Sequence, residues 1–147
     1  MRKVELINSI LNSFEKMTGK SIIERTNPEF YLQKIEEGEF ALVSHNGASD
    51  PILNYGNKFA LKLWEMDWYE FIKTPSKKTA EPEIRFNRKE MLSIVSKQGF
   101  IDQYEGIRIS STGKRFKIKN AVIWNVLDEN GKFLGQAAYF NSVEFLS

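Results

Sequence analysis

The apolar positions at the start of the chain recur every three or four residues, which is the spacing of one face of an α-helix. They are Val4, Leu6, Ile7, Ile10, Leu11, Phe14 and Met17. Gly19 follows and predicts the end of this amphipathic helix, whose wide apolar stripe must be covered by another surface. Asn27-Pro28 predicts a second helix with an asparagine N-cap and a proline at its first position, running to Glu37 and ended by Gly38.

The pattern then changes to short apolar runs separated by turn residues. Phe40-Ala41-Leu42-Val43 and Ile52-Leu53-Asn54-Tyr55 each predict a strand, and Asn46-Gly47 between them predicts the turn of a hairpin. Helical spacing returns over residues 59–72. A further helix is predicted to begin at Asn87, with Glu90 in the position of a capping box, and to end at Gly99.

The last third of the chain predicts three strands, over residues 100–110, 115–127 and 133–140. On the middle strand, alternation assigns one face to Phe116, Ile118, Val122, Trp124 and Val126. The opposite parity is polar early, with Arg115, Lys117 and Lys119, and apolar later, with Ala121, Ile123 and Leu127. The sheet is therefore predicted to bury part of both faces, the central helices covering one and the first helix or a second copy of the chain covering the other.

The early hairpin and the late meander are each too short to be stable alone, so they are predicted to share one sheet. The predicted fold class is α+β: a five-stranded antiparallel sheet with helices on one face and an N-terminal amphipathic helix. We divide the chain into residues 1–37, a helical segment that packs on the sheet or on a partner, and residues 38–147, the main domain, together forming one globular unit.

Composition excludes several kinds of site. The absence of cysteine excludes disulfides, cysteine-ligated zinc, iron–sulfur clusters and thiol nucleophiles. A formal net charge of +2 disfavours a dedicated nucleic-acid binder. No apolar run approaches the roughly 20 residues of a membrane span or forms a signal peptide, so we expect a cytoplasmic protein without a membrane partner.

Several uncommon short strings occur in a fixed order along residues 38–140. They include Asp50-Pro51-Ile52-Leu53-Asn54-Tyr55-Gly56-Asn57, Gly99-Phe100-Ile101-Asp102, Tyr104-Glu105-Gly106-Ile107-Arg108-Ile109-Ser110, Trp124-Asn125 and Gly135-Gln136-Ala137-Ala138. In these strings and their order the chain resembles the bacterial MEKHLA-domain proteins, a PAS-like family. Related domains lie at the C-terminal end of plant homeodomain–leucine-zipper regulators. This chain has neither a homeodomain nor a zipper, so a role in transcription does not carry over.

The resemblance implies a PAS-like fold and a space for a small molecule between sheet and helices. Haem-binding PAS proteins use a histidine on a helix, and the photoactive flavin domains need a cysteine. The only histidine here, His45, follows a predicted strand. We therefore expect no haem and no cysteine-adduct flavin, whereas non-covalent flavin binding stays open. With one histidine and no metal-binding spacing, no metal is expected either.

Pockets of this kind combine apolar walls with a few polar anchors. Trp124 is predicted to point into the space between sheet and helices, and Asn120 shares its parity. The candidate ligand-binding residues are His45, Trp64, Tyr104, Arg108, Asn120, Trp124 and Gln136. The alternative interpretation is that the aromatic residues fill a solid core.

Arg108 allows two interpretations. If Ile107 and Ile109 point inward, Arg108 is solvated. If Gly106 marks a bulge that reverses the parity, Arg108 is buried and needs an acid such as Glu81 or Asp102. The basic stripe Arg115, Lys117 and Lys119 is read as a solvated strand face rather than as an anion site.

Three functions follow as hypotheses. The first is a stand-alone PAS-like sensory module that binds a small ligand or a partner and forms a homodimer through the first helix and the outer sheet face. The second is a small-molecule enzyme with His45 as a general base assisted by Asp50 or Arg108. The third is an interaction domain with a solid core.

Overall fold

The structure is a computed structural model that describes residues 1–80, 90 and 93–147. The predicted helix start at Asn87 and the proposed acid Glu81 lie outside the described residues. Within them, no helix is both long and apolar enough to cross a membrane.

The two predicted N-terminal helices are confirmed. Helix α1 spans Lys3–Thr18 and ends where Gly19 adopts a left-handed φ of 71°, its N–H donating to the Glu15 carbonyl. Helix α2 spans Pro28–Glu37, and the Asn27 side chain caps it by accepting a hydrogen bond from the Glu29 N–H at 2.9 Å.

Two short helices and a 3-10 helix follow the first hairpin. They are α3 (Lys58–Trp64), α4 (Trp68–Phe71) and the 3-10 helix Ser76–Thr79, and residues 93–98 are helical before Gly99. The fully buried Asn57 fixes the start of α3, because its Oδ1 accepts from the Ala60 N–H at 3.2 Å. The same oxygen accepts from the Leu42 N–H at 3.1 Å, which ties α3 to the sheet.

The strands of the described residues belong to one antiparallel sheet. Its strands are β1 (Ala41–Asn46), β2 (Leu53–Gly56), β3 (Phe100–Ile109), β4 (Arg115–Leu127), β5 (Phe133–Phe140) and β6 (Ser142–Phe145). The order is β2-β1-β5-β4-β3. The early hairpin therefore joins the late meander through β1 and β5, as predicted. The short strand β6 was not predicted, and it pairs with the first half of β4.

A bulge in β4 decides which side chains share a face. Asn120 has a φ of 53°, and the pairing register with β3 shifts between Tyr104 and Gly106. The extra residue reverses the alternation, so Phe116 and Ile118 before the bulge share a face with Ala121 after it. Our assignment of Phe116, Ile118, Val122, Trp124 and Val126 to one face is wrong, because a strict period of two does not survive a bulge.

We give each surface of the sheet a name. The cavity face lies under α3, α4 and residues 93–98 and borders a cavity described below, and the α1 face packs against α1. On β4 the cavity face carries Phe116, Ile118, Ala121 and Ile123, covered by α3, α4 and residues 93–98. The α1 face carries Val122, Trp124 and Val126, which pack in one cluster with buried residues of α1 and α2. Both faces are buried in part, as predicted.

Two candidate residues lie away from the predicted space. Trp124 is on the α1 face, where its Nε1 donates to the Ile10 carbonyl at 3.1 Å. Asn120 is exposed at the bulge. The predicted orientation of both toward the space beneath the central helices is wrong. The bulge reverses the alternation of side chains after Ile118, so Trp124 points to the opposite face from Ile118.

Candidate functional site

A cavity of about 50 Å³ lies on the cavity face of the sheet, beneath α3, α4 and the 3-10 helix. Four of the seven predicted ligand-binding residues line it: His45 on β1, Trp64 on α3, Arg108 on β3 and Gln136 on β5. Its apolar wall comes from the sheet and α4. This wall comprises Val43, Leu53, Phe71, Ile118, Ile123, Ala137, Ala138 and Phe140.

Arg108 is buried, with 5% of its surface exposed, as the second interpretation expected, but the left-handed residue of β3 is Gln103 and not Gly106. Its Nη2 donates to the Tyr104 hydroxyl at 3.1 Å and its Nη1 to the Ile107 carbonyl at 3.0 Å. The guanidinium also lies over the Tyr104 ring, 5.5 Å from its centroid. Asp102, one of the two predicted acid partners, is exposed and forms no ion pair with it. Among the described residues Arg108 has no carboxylate partner.

Gly106 provides the space for this arrangement. A Cβ at that position would lie 2.5 Å from the Tyr104 hydroxyl and 2.9 Å from Arg108 Nη1, both inside van der Waals contact. Tyr104, Gly106 and Arg108 thus share the cavity face of β3, with the glycine between the two long side chains. Tyr104 does not line the cavity, but its hydroxyl orients the arginine that does.

Trp64 closes the cavity from the end of α3. Its ring is 4% exposed and makes edge contacts with Phe116 and Phe140, at centroid distances of 5.2 and 6.2 Å. The turn after β3 holds this end of the helix, since the Ser111 N–H donates to the Trp64 carbonyl at 3.0 Å. Trp64 Nε1 is a buried donor with no hydrogen-bond partner within the described part of the chain.

Gln136 is 4% exposed and belongs to a polar chain between the sheet and the last helix. Its Nε2 donates to Asn125 Oδ1 at 3.0 Å, and Asn125 Nδ2 donates to the Val95 carbonyl at 3.1 Å. Gln136 therefore links the cavity wall to residues 93–98.

The predicted pair of His45 and Asp50 is not assembled. His45 Nδ1 is 2.9 Å from the Asn46 backbone carbonyl, so this nitrogen carries the proton in that hydrogen bond. Asp50 is exposed and pairs with Lys77 Nζ at 3.3 Å. The arrangement gives no general base activated by Asp50.

Three buried polar residues of the cavity, Ser44, Ser76 and Thr79, were not among the predicted ligand-binding residues. Ser44 lies on β1, whereas Ser76 and Thr79 belong to the 3-10 helix, where Thr79 Oγ1 donates to the Ser76 carbonyl at 2.7 Å. A helix of one turn has no periodicity from which its inward positions can be read. Pro75 before Ser76 was the available signal, since it marked a change of direction.

The cavity is small, and its lining is mostly apolar with a few polar side chains. One water needs about 10–15 Å³ by this measure, so the space accommodates only a few non-hydrogen atoms. No group of three or more metal-ligating side chains occurs among the residues described.

A family model for the MEKHLA domain matches residues 4–145, which is nearly the whole chain. The chain belongs to the MEKHLA-domain family. The match confirms the family that the sequence resembles. No curated protein matches the sequence.

Solved structures similar to this MEKHLA-domain chain are PAS domains, which confirms the predicted fold. The PAS domain of a Colwellia psychrerythraea protein is 17% identical with a TM-score of 0.65, covering 80% of this chain and 95% of its own. The fungal blue-light photoreceptor Vivid, as a light-state dimer, is 14% identical with a TM-score of 0.62, covering 90% and 91%. The PAS domain of a LuxR-family regulator from Burkholderia thailandensis, in complex with ethanol, is 13% identical with a TM-score of 0.58, covering 79% and 96%. The fold is typical of sensory modules.

Proposed function

We propose that this MEKHLA-domain chain is a sensory module that binds a very small ligand in the cavity beneath α3 and α4. One observation carries the proposal: the cavity lies between sheet and helices and is lined by a buried arginine that has no acid partner among the described residues. Buried polar groups are normally satisfied, so such a site favours a bound polar molecule. The similar PAS domain from Burkholderia thailandensis, described in complex with ethanol, gives a precedent for a ligand of this size.

A thermal-shift screen of small metabolites and solvents tests the proposal. A ligand at about 100 times its dissociation constant adds about 2.7 kcal/mol to the free energy of unfolding, which raises the Tm by several degrees. Ala138→Leu is the variant to compare, because the larger side chain would fill the cavity that Ala138 lines. We expect the variant to lose the ligand-induced shift.

Ala48→Leu is the matched control, since Ala48 is exposed in the turn after β1 and the substitution adds the same atoms. It is expected to keep the full ligand-induced shift. If no compound raises the Tm of the unmodified chain, the ligand proposal fails and an interaction domain with a solid core is the better description. The small volume of the cavity is the observation that favours this second candidate.

We propose in addition that the module acts as a homodimer. The light-state dimer of Vivid shows a similar fold in a dimer, and exposed apolar side chains such as Val4 on α1 offer a contact surface. The buried stripe of α1 is packed on its own sheet, so it is not available to a partner unless α1 is exchanged between copies.

A further inference from the structure

We infer that the ligand of the cavity is a short-chain carboxylate, received by Arg108 and Trp64. The inference rests on the proposed function and adds the chemical class of the ligand. It combines three features of the site: a buried positive charge with no acid partner among the described residues, a buried donor with no hydrogen-bond partner among them, and a volume of only a few atoms.

The charge of Arg108 is the first feature. Both of its described hydrogen bonds go to neutral acceptors, the Ile107 carbonyl and the Tyr104 hydroxyl. A buried cation is expected to be paired, and no carboxylate among residues 1–80, 90 and 93–147 pairs with this one. An anion in the cavity would supply the missing charge.

The second feature is the indole of Trp64. A buried N–H that lacks a partner is rare in native proteins, and this one belongs to a residue that lines the same cavity as Arg108. Hydrogen-bond donors that line one cavity favour a ligand whose polar atoms are hydrogen-bond acceptors. A carboxylate is such a ligand, and its planar pair of oxygens matches the fork of a guanidinium.

The size and the walls of the cavity narrow the class. About 50 Å³ takes a few non-hydrogen atoms, which fits formate, acetate or propionate. Val43, Ile118 and Ile123 form an apolar side that suits a methyl or ethyl group. Inorganic phosphate has no apolar part, and its tetrahedral oxygens would face these walls without donors.

Nuclear magnetic resonance of the indole N–H groups tests the inference on the full chain. The chain has three tryptophans, and Trp64→Phe identifies the Trp64 signal by its loss. Trp124 is the internal reference, because its Nε1 already donates to the Ile10 carbonyl on the other face of the sheet. Acetate is the probe and acetamide, which has the same shape without the charge, is the matched compound.

We expect acetate, added at constant pH and ionic strength, to move the Trp64 indole signal in a saturable way while the Trp124 signal stays in place. So small a ligand reaches a dissociation constant of micromolar to millimolar size. Acetamide and phosphate should bind at least about tenfold more weakly, the size of effect expected when a charged hydrogen bond is lost. Equal binding of acetamide or phosphate would overturn the carboxylate inference and leave the ligand proposal standing.

Two substitutions of Arg108 complete the test. Arg108→Met removes the charge and should abolish the saturable shift, and Arg108→Lys keeps the charge but loses the fork and should weaken it. Lys117→Met is the matched control, since it removes a cation that pairs with Glu105 on another part of the same sheet. An unchanged Trp124 signal shows that each variant is folded. If Arg108→Lys and Arg108→Met both bind acetate as the unmodified chain does, the assignment to Arg108 is wrong.

Discussion

Tyr55 joins β2 to α2 through a hydroxyl in a buried position. Its ring is fully buried, and its hydroxyl donates to Glu36 Oε2 at 2.9 Å. Burial raises the pKa of Tyr55 far above its ordinary value, and the charge of Glu36 and the hydrogen bond to it raise the pKa further. The folded state therefore keeps this proton at a pH where the unfolded chain releases it.

This difference predicts a loss of stability in alkaline solution. The hydroxyl contributes in full below the unfolded pKa of about 10, and its contribution falls as the pH rises above that value. Tyr55→Phe removes the group, so the free energy of unfolding of the unmodified chain should fall more steeply than that of the variant, by up to about 1.4 kcal/mol per pH unit. Urea titrations at pH 8, 10 and 11 measure how the free energy of unfolding changes with pH in the unmodified chain and in the variant.

Tyr69→Phe is the control, because Tyr69 is 72% exposed and the substitution removes the same hydroxyl from the surface of the folded chain. Its slope should equal that of the unmodified chain. Parallel curves for Tyr55→Phe and the unmodified chain would show that Tyr55 titrates like a free tyrosine.

The orientation of Arg108 could not be predicted from the residues around it in the sequence. The sequence left two orientations open, and the outcome depended on register shifts in β3 and β4 that no local pattern marks. Gly106 was recognised as unusual, but its reason is a contact between its two neighbours on the same face, Tyr104 and Arg108. Such a reason becomes visible only when the side chains are placed.

Helix α1 behaves as part of the core rather than as an appendage. Ile10 is fully buried against the sheet, and its carbonyl accepts the Trp124 indole hydrogen bond. Ser13 adds a second link, since its Oγ accepts from the Leu127 N–H at 2.8 Å. Helix α1 thus covers the apolar side chains in the second half of β4.

Ile10→Ala is therefore expected to lower the free energy of unfolding by about 2–5 kcal/mol through the lost burial and the remaining cavity. Lys16→Ala on the same helix is the control, because Lys16 is exposed in the last turn and its replacement should cost less than about 0.5 kcal/mol. Urea denaturation of both variants gives the comparison. Similar small effects in the two variants would mean that α1 is not docked as described.

The elements themselves were predictable where local signals agreed. The spacing of α1, the cap at Asn27 and the left-handed glycine after α1 each point to the boundary observed. The bulge at Asn120 was not predictable, because asparagine tolerates a positive φ in many turns and nothing nearby interrupts the run of strand-forming residues. This one residue reversed the assignment of Trp124 and removed it from the candidate site.

At the scale of the whole molecule, a burial argument was sufficient for the topology. A two-stranded hairpin is not stable alone, and pairing β1 with β5 is what gives the hairpin a sheet to join. The same argument requires that each apolar face of the sheet is covered, but it does not determine which element covers it. The choice of α1 for the face of Trp124, rather than a second copy of the chain, depends on side-chain fit over long sequence separations.

That choice shapes the dimer that we propose. Because Ile7, Ile10, Leu11 and Phe14 are buried within the chain, a contact through α1 must use its solvent side, where Val4 is exposed, or exchange the helix. Light scattering at tens of micromolar should then give twice the chain mass of 17.1 kDa, and the Tm should rise with protein concentration. Val4→Glu should shift the mass toward the monomer, while Lys20→Glu, exposed beyond the end of the helix, should not. A monomer with a Tm independent of concentration would contradict the dimer and leave the fold of the single chain unaffected.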